Sequence, residues 1–272
     1  MHARPLLFLA LVPVFALCAV RGVAEPVQPD RDESQLAYRL QGHAGPTVVF
    51  ESGQGLGMAS WDRVAPRLAA CVRVVVYDRA GVGASPARPN NLPVMADSVA
   101  DDLARLLRMI GAAPPYILVG HSLGGLYVQA FARGNPKDVA AVVLVDAASP
   151  LEPPGVFVST APLTPGSISA AEEAGVAPSE AALLSGPPFP PVPLIVLAAT
   201  NHDDTPQREA LWRQVQSRTA ALSPRGHLEV VNHSGHFIQV DRPDVVYAAV
   251  LEAARLSGVI LSGCSASNPQ EN

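Results

Sequence analysis

The 272-residue chain predicts an α/β domain, a mostly parallel central sheet with helices on both faces. Three observations carry that expectation. Apolar, β-branched runs at 47–50, 72–77 (Arg73 apart) and 139–145 do not alternate, as in strands buried on both sides. Stretches of helical spacing separate them, such as Val99, Leu103, Leu106, Leu107 and Ile110. With 49% hydrophobic and 16% charged residues, the chain has enough apolar material for one sizeable core and no need of a second domain.

The first 24 residues read separately. Arg4 precedes an apolar run from Leu6 to Val20, too short for a membrane span, and Gly22 and Ala24 form a small-residue cleavage pattern. A signal peptide over 1–24, a mature chain from Glu25 and a secreted or periplasmic location follow as expectations. An uncleaved anchor is the competing reading, and a lipid-modified Cys18 is disfavoured by the bulk of Leu17 before it. The net charge of −5 becomes more negative on cleavage, which removes two arginines and no acid, so nothing favours nucleic acid or anionic lipid as a partner. Cleavage leaves Cys71 and Cys264, either a disulfide or a small buried residue and a tail thiol. No cysteine or histidine spacing matches a metal site, and no metal is expected.

The elements then follow in order. A first strand is expected near 36–40, and strand 47–50 runs into the glycine-rich loop Glu51-Ser52-Gly53-Gln54-Gly55. Strand 72–77 ends in Asp78-Arg79-Ala80-Gly81-Val82-Gly83-Ala84-Ser85. The amphipathic helix 94–110 carries Asp97, Asp101 and Asp102 toward its N-terminal half, the favourable end of its dipole. Strand 116–119, the turn Gly120-His121-Ser122-Leu123-Gly124 and a helix over 126–132 come next, then strand 139–145 ending at Asp146. From 150 to 193 the texture turns to proline, alanine, serine and glycine. That segment reads as a lid-like insertion, with a short helix in 168–184 and an extended stretch at 187–193. Strand 194–198, a helix around 209–222, strand 227–231 and a helix over 244–256 complete the domain, and 258–272 reads as a flexible tail.

Gly-His-Ser-Leu-Gly between a strand and a helix is the signature with chemical content. A sharp strand-to-helix turn forces the central serine into a strained conformation and lifts its hydroxyl, and flanking glycines let the two elements pack closely. The N–H of Leu123 then lies at a helix N-terminus, able to stabilise an oxyanion. A serine nucleophile needs a base, and His236, in the loop after strand 227–231, projects from the same sheet edge. His233 is its local competitor, and His121 points away if the turn holds Ser122 up. The base needs an acid, for which Asp146 and Asp203 both satisfy the chain order serine, acid, histidine.

On these motifs the chain resembles the α/β-hydrolase superfamily, in its single-domain serine esterase-like branch, over about 36–256. Four landmarks fall in order: Ser52-Gly53-Gln54, Asp78 to Ser85, Gly120 to Gly124, and Ser234-Gly235-His236. The resemblance implies Gln54 and Leu123 as the two oxyanion donors, with Gly53 allowing close approach, and implies no cofactor. Departures are visible. Many relatives carry His-Gly where this chain has Ser52-Gly53, and in the usual acid loop Ala199 replaces the glycine and His202 stands at the acid position, with Asp203 one residue late. Some relatives take the acid from the end of the preceding strand, where Asp146 stands, so Asp146 is slightly preferred and Asp203 stays open. A serine at the elbow, in place of the carboxylate of dehalogenases and epoxide hydrolases, points to acyl transfer. The expected function is an exported esterase acting on a small or medium apolar substrate. An aminopeptidase, a carbon–carbon hydrolase and a non-catalytic binding protein are the alternatives.

Overall fold

The computed structural model describes residues 36–42, 45–88, 92–157, 162–261 and 263–264. The signal-peptide reading and most of the tail lie outside them. Strands β1 (Tyr38–Gln41), β2 (Thr47–Glu51), β3 (Arg73–Tyr77), β4 (Tyr116–His121), β5 (Val139–Val145), β6 (Leu194–Ala199) and β7 (Gly226–Val231) form one sheet in the order β1-β3-β2-β4-β5-β6-β7. Only β1 runs antiparallel, against β3. β2, β4 and β6 are buried at every residue, which explains their unbroken apolar sequence.

The helices are α1 (Ala65–Ala69), α2 (Ala96–Met109), α3 (Gly124–Gly134), α4 (Ile168–Ser185), α5 (Pro206–Ala220), α6 (Ile238–Asp241) and α7 (Pro243–Ser257). Two apolar clusters lie on the two faces of the sheet: one gathers Trp61, Leu68 and the α7 residues Val246 and Val250, the other Leu103, Leu107, Phe131 and Ala132 from α2 and α3. Cys71, just before β3, is joined by a disulfide to Cys264 beyond α7, with the Cα atoms 5.3 Å apart. The second of the two sequence readings of this pair, a buried residue and a tail thiol, is therefore replaced by a crosslink.

The proline-rich stretch carries more helix than its sequence suggests. α4 spans 18 residues with Pro178 inside it, where a short helix was expected. It is N-capped by Ser167, whose Oγ accepts from Ala170 N, and it is fastened to the chain entering α2. Val94 N donates to Ala171 O at 2.9 Å and Ala96 N to Ser179 Oγ at 2.9 Å. A Cβ on Gly175 would lie 1.9 Å from the Val94 carbonyl oxygen, so only glycine permits this approach. Residues 187–193 contain no helix or strand.

Candidate active site

The turn after β4 has the geometry its sequence demands. Ser122 sits at φ 52, in the left-handed region, and the chain passes directly into α3. A Cβ on Gly120 would meet Gly124 O at 2.7 Å, and one on Gly124 would meet the Glu51 and Ser52 carbonyl oxygens at 2.6 Å. The two glycines are therefore the condition for bringing β4, α3 and the loop after β2 into contact. That loop lies against the serine: a Cβ on Gly53 would stand 3.2 Å from Ser122 Cβ and 3.0 Å from His121 Nδ1. Among the described residues, neither Gln54 N nor Leu123 N donates to any protein group. Two unspent backbone donors thus flank the serine, the arrangement an oxyanion requires.

The loop that presents Gln54 is held from below by charge. Arg79 is buried and donates to Glu51 Oε1 at 2.6 Å, Ser52 O at 2.7 Å and Gly53 O at 2.8 Å. Its Nε and Nη2 reach Glu172 Oε1 of α4 at 2.9 and 2.7 Å, while Glu172 Oε2 accepts from Gly55 N at 2.6 Å. Tyr77 Oη donates to the other oxygen of Glu51. Burial opposes the charge on Arg79, but Glu51 and Glu172 overcome it and keep the guanidinium firmly protonated. The Gln54 side chain turns to α4, donating to Ser169 O at 2.9 Å and Glu173 Oε2 at 3.0 Å. Sequence reasoning assigned no role to Arg79, Glu51 or Glu172: Arg79 stood within the 78–85 landmark and Glu51 beside the Ser52-Gly53 departure, while Glu172 gave no signal.

The two candidate acids separate in space. Asp146, at the end of β5 with φ 43, is fully buried and its Oδ2 accepts from His236 Nδ1 at 2.7 Å. Asp203 is exposed on the loop after β6 and pairs with neither neighbouring histidine. Burial alone would raise the Asp146 pKa, but hydrogen bonds from His202 and His236 reverse this and hold the carboxyl well below the usual carboxylate range. His121 is buried with Nε2 3.0 Å from His236 O, and desolvation followed by the charge of His236 lowers its pKa to about 3. It is a neutral support for the histidine loop. His233 is exposed, at φ 59.

Ser122, His236, Asp146, Gln54 and Leu123 line one cavity of about 650 Å³ roofed by α4. Its walls include Phe157, Trp212 and Leu184, and three carboxyl groups, Glu152, Glu173 and Glu180. No lysine or arginine lines it among the described residues. Burial pushes Glu152 up to about 8, so this group is largely protonated at neutral pH. The 150–193 segment therefore brings acids and apolar residues to the cavity, and no anion-binding cation. Asp146, His202 and His236 are also close enough to hold a metal ion together, but each of their facing atoms is already engaged in a hydrogen bond. No helix among the described residues is long and apolar enough to cross a membrane.

Comparison with known proteins agrees with this architecture. A family model described as alpha/beta hydrolase fold matches residues 46–172. The chain is similar to YqjL of Bacillus subtilis, 26% identical over 228 residues that make up 78% of this chain and 85% of that protein. It is 40% identical over 117 residues to the candidate carbamate hydrolase RutD of Variovorax paradoxus, covering 41% of this chain and 42% of RutD. Across such curated relatives the chain spans between 15% and 85% of their length. Among solved structures, a thermophilic esterase from Thermogutta terrifontis superposes with a TM-score of 0.66 over 82% of this chain and 93% of that one, at 22% identity, a likeness of fold.

Proposed function

We propose that this chain, which belongs to the α/β-hydrolase superfamily, is an exported serine hydrolase that cleaves carboxylic esters of small or medium, uncharged and largely apolar substrates. One observation carries the reading: a strained Ser122, an Asp146–His236 pair and the unspent N–H groups of Gln54 and Leu123 all open into the same cavity. In the proposed cycle His236 takes the Ser122 proton as the hydroxyl attacks the ester carbonyl, and Asp146 stabilises the imidazolium. The tetrahedral oxyanion accepts from Gln54 N and Leu123 N. Collapse returns the proton from His236 to the leaving alcohol and leaves an acyl group on Ser122. Water, deprotonated by His236, then repeats the addition and releases the acid.

Glu173 and Glu180, with no lysine or arginine lining the cavity among the described residues, disfavour acyl chains that end in a carboxylate or phosphate. Export is supported by the N-terminal sequence and by the Cys71–Cys264 disulfide, which suits an oxidising compartment. It is tested by mass spectrometry of the protein recovered outside the cytoplasm, where a first residue other than Glu25 would count against the cleavage site.

The activity is tested with p-nitrophenyl esters of increasing acyl length on wild type and Ser122→Ala, alongside fluorophosphonate labelling. Turnover and labelling that both vanish in Ser122→Ala are expected. Wild-type protein that hydrolyses no ester and takes no label would refute the proposal and leave the binding-protein alternative.

A further inference from the structure

Asp146 serves two histidines. All four acceptor positions of its buried carboxylate are filled: Oδ1 by Ala199 N at 2.9 Å and Trp212 Nε1 at 2.8 Å, Oδ2 by His236 Nδ1 at 2.7 Å and His202 Nε2 at 2.7 Å. His202 takes no part in the cycle above. It stands on the loop after β6, at the position where the resemblance would have placed the acid itself. Its other ring nitrogen, Nδ1, lies 2.9 Å from Glu209 Oε2, and its backbone N–H donates to Glu209 Oε1 at 2.7 Å, so the ring is fixed at both ends.

That geometry dictates charge. A neutral imidazole has one donor and one acceptor nitrogen, whereas both nitrogens of His202 face carboxylates and both must donate. The charged groups around it are Asp146 from the end of β5, Glu209 and Arg208 from α5, Asp203 and Asp204 on its own loop, and His236 after β7. Arg208 is engaged by Asp204, which leaves Asp146 and Glu209 as the partners of His202. Around His236 stand Asp146, His202 and the neutral His121. Burial lowers the His202 pKa, but Asp146 and then Glu209 more than compensate and carry it up to about 9.

We propose that His202 and Glu209 are positioning residues of the triad: His202 fixes Asp146 and places a positive charge beside its Oδ2, so that the acid limb of the activity lies lower than it would without that charge. The inference rests on the serine-hydrolase reading. Two cations then compete for one carboxylate oxygen, which makes the second protonation costlier than in a triad whose acid serves a single histidine. Glu209 is the remote element, because it keeps His202 charged.

The test is the pH profile of kcat/KM on a neutral ester for wild type, His202→Gln and Glu209→Gln, with folding checked by circular dichroism. His202→Gln keeps a donor for Asp146 and removes the charge. Its acid limb should move up by about one pH unit, roughly a tenfold loss on that limb, from a like-charge interaction across 6.3 Å between ring centres. Glu209→Gln should move it the same way by less, and the profiles should converge above about pH 9, where His202 itself loses its proton. An unmoved limb overturns the proposal, as does a uniform drop at every pH, which is what a merely structural role gives. Side-chain ¹H–¹⁵N spectra give a second readout independent of turnover: both ring nitrogens of His202 should be protonated at neutral pH, and a neutral ring there overturns the proposal. Ester turnover absent from the wild type while that doubly protonated ring is seen would refute the hydrolase reading and not the charged pair.

Discussion

Replacing Glu172 with glutamine probes how α4 is coupled to the loop that presents Gln54. The change keeps the shape of the side chain and removes its charge. Glu172 Oε1 accepts from Arg79 Nε and Nη2, and Oε2 from Gly55 N. A glutamine has one acceptor oxygen, so its NH₂ group must face either the Arg79 donors or the Gly55 N–H, and at least one buried donor loses its partner. Breaking a buried ion pair costs about 3–5 kcal/mol, and Glu51 still pairs with Arg79, so the lower end, about 3 kcal/mol, is expected. For a chain of this size that corresponds to a Tm lower by about 6–12 °C. Urea unfolding followed by far-UV circular dichroism should give the same free energy with an unchanged m-value. Because Arg79 also holds the Ser52 and Gly53 carbonyls, kcat should fall about tenfold while KM stays within about twofold, as expected when donors that act in the transition state are displaced. A stability loss under about 1 kcal/mol, or an effect confined to KM, would refute the coupling.

Three further outcomes follow from the site and its supports. Asp146→Asn should cut kcat/KM by about 10³–10⁴ while Asp203→Asn stays within about twofold, and the reverse ranking would move the acid to Asp203. The Cys71–Cys264 disulfide spans 193 residues, so Cys264→Ser should lower the unfolding free energy by about 2–5 kcal/mol, and a Tm equal to wild type would remove the crosslink from the stability argument. Glu152, at about 8 against an ordinary 4.5, holds its proton more tightly when folded, so its contribution is fully present below pH 4.5 and is lost as pH rises through about 8. Glu152→Gln should therefore exceed wild type in stability near pH 9, by at most about 5 kcal/mol, and match it near pH 4, and parallel stability curves would contradict that sign.

The central strands were legible in the sequence because burial on both faces leaves few polar residues to blur the pattern: 139–145 is expected and observed with the same bounds, whereas β1 and β7 at the sheet edges are mixed in polarity. Helices α2, α5 and α7 differ from expectation by a few residues at their ends, where propensity is weak and caps decide. α4 was underestimated because alanine, glycine and Pro178 give no amphipathic period. Its face is set by contacts to the Val94 segment and to Arg79, which no local pattern encodes. α1 and α6 are too short to show a period at all. Within the site, Ser122 and His236 announce themselves by their flanking glycines. The pairing of His236 with Asp146 depends on where β5 and the loop after β6 end in space, and the chain order admitted both aspartates. His202 was invisible as a partner of Asp146, since 56 residues separate the two.

α4 is tied at Gly175 to the Val94 backbone, at Ser179 to Ala96 and at Glu172 to Arg79, so it is a fixed ceiling over Ser122. A ceiling held this way is expected to stay in place at an oil–water boundary. Rates on a long-chain ester should rise hyperbolically with concentration and pass the point of micelle formation without a jump, making the enzyme a catalyst of dissolved molecules and not of surfaces.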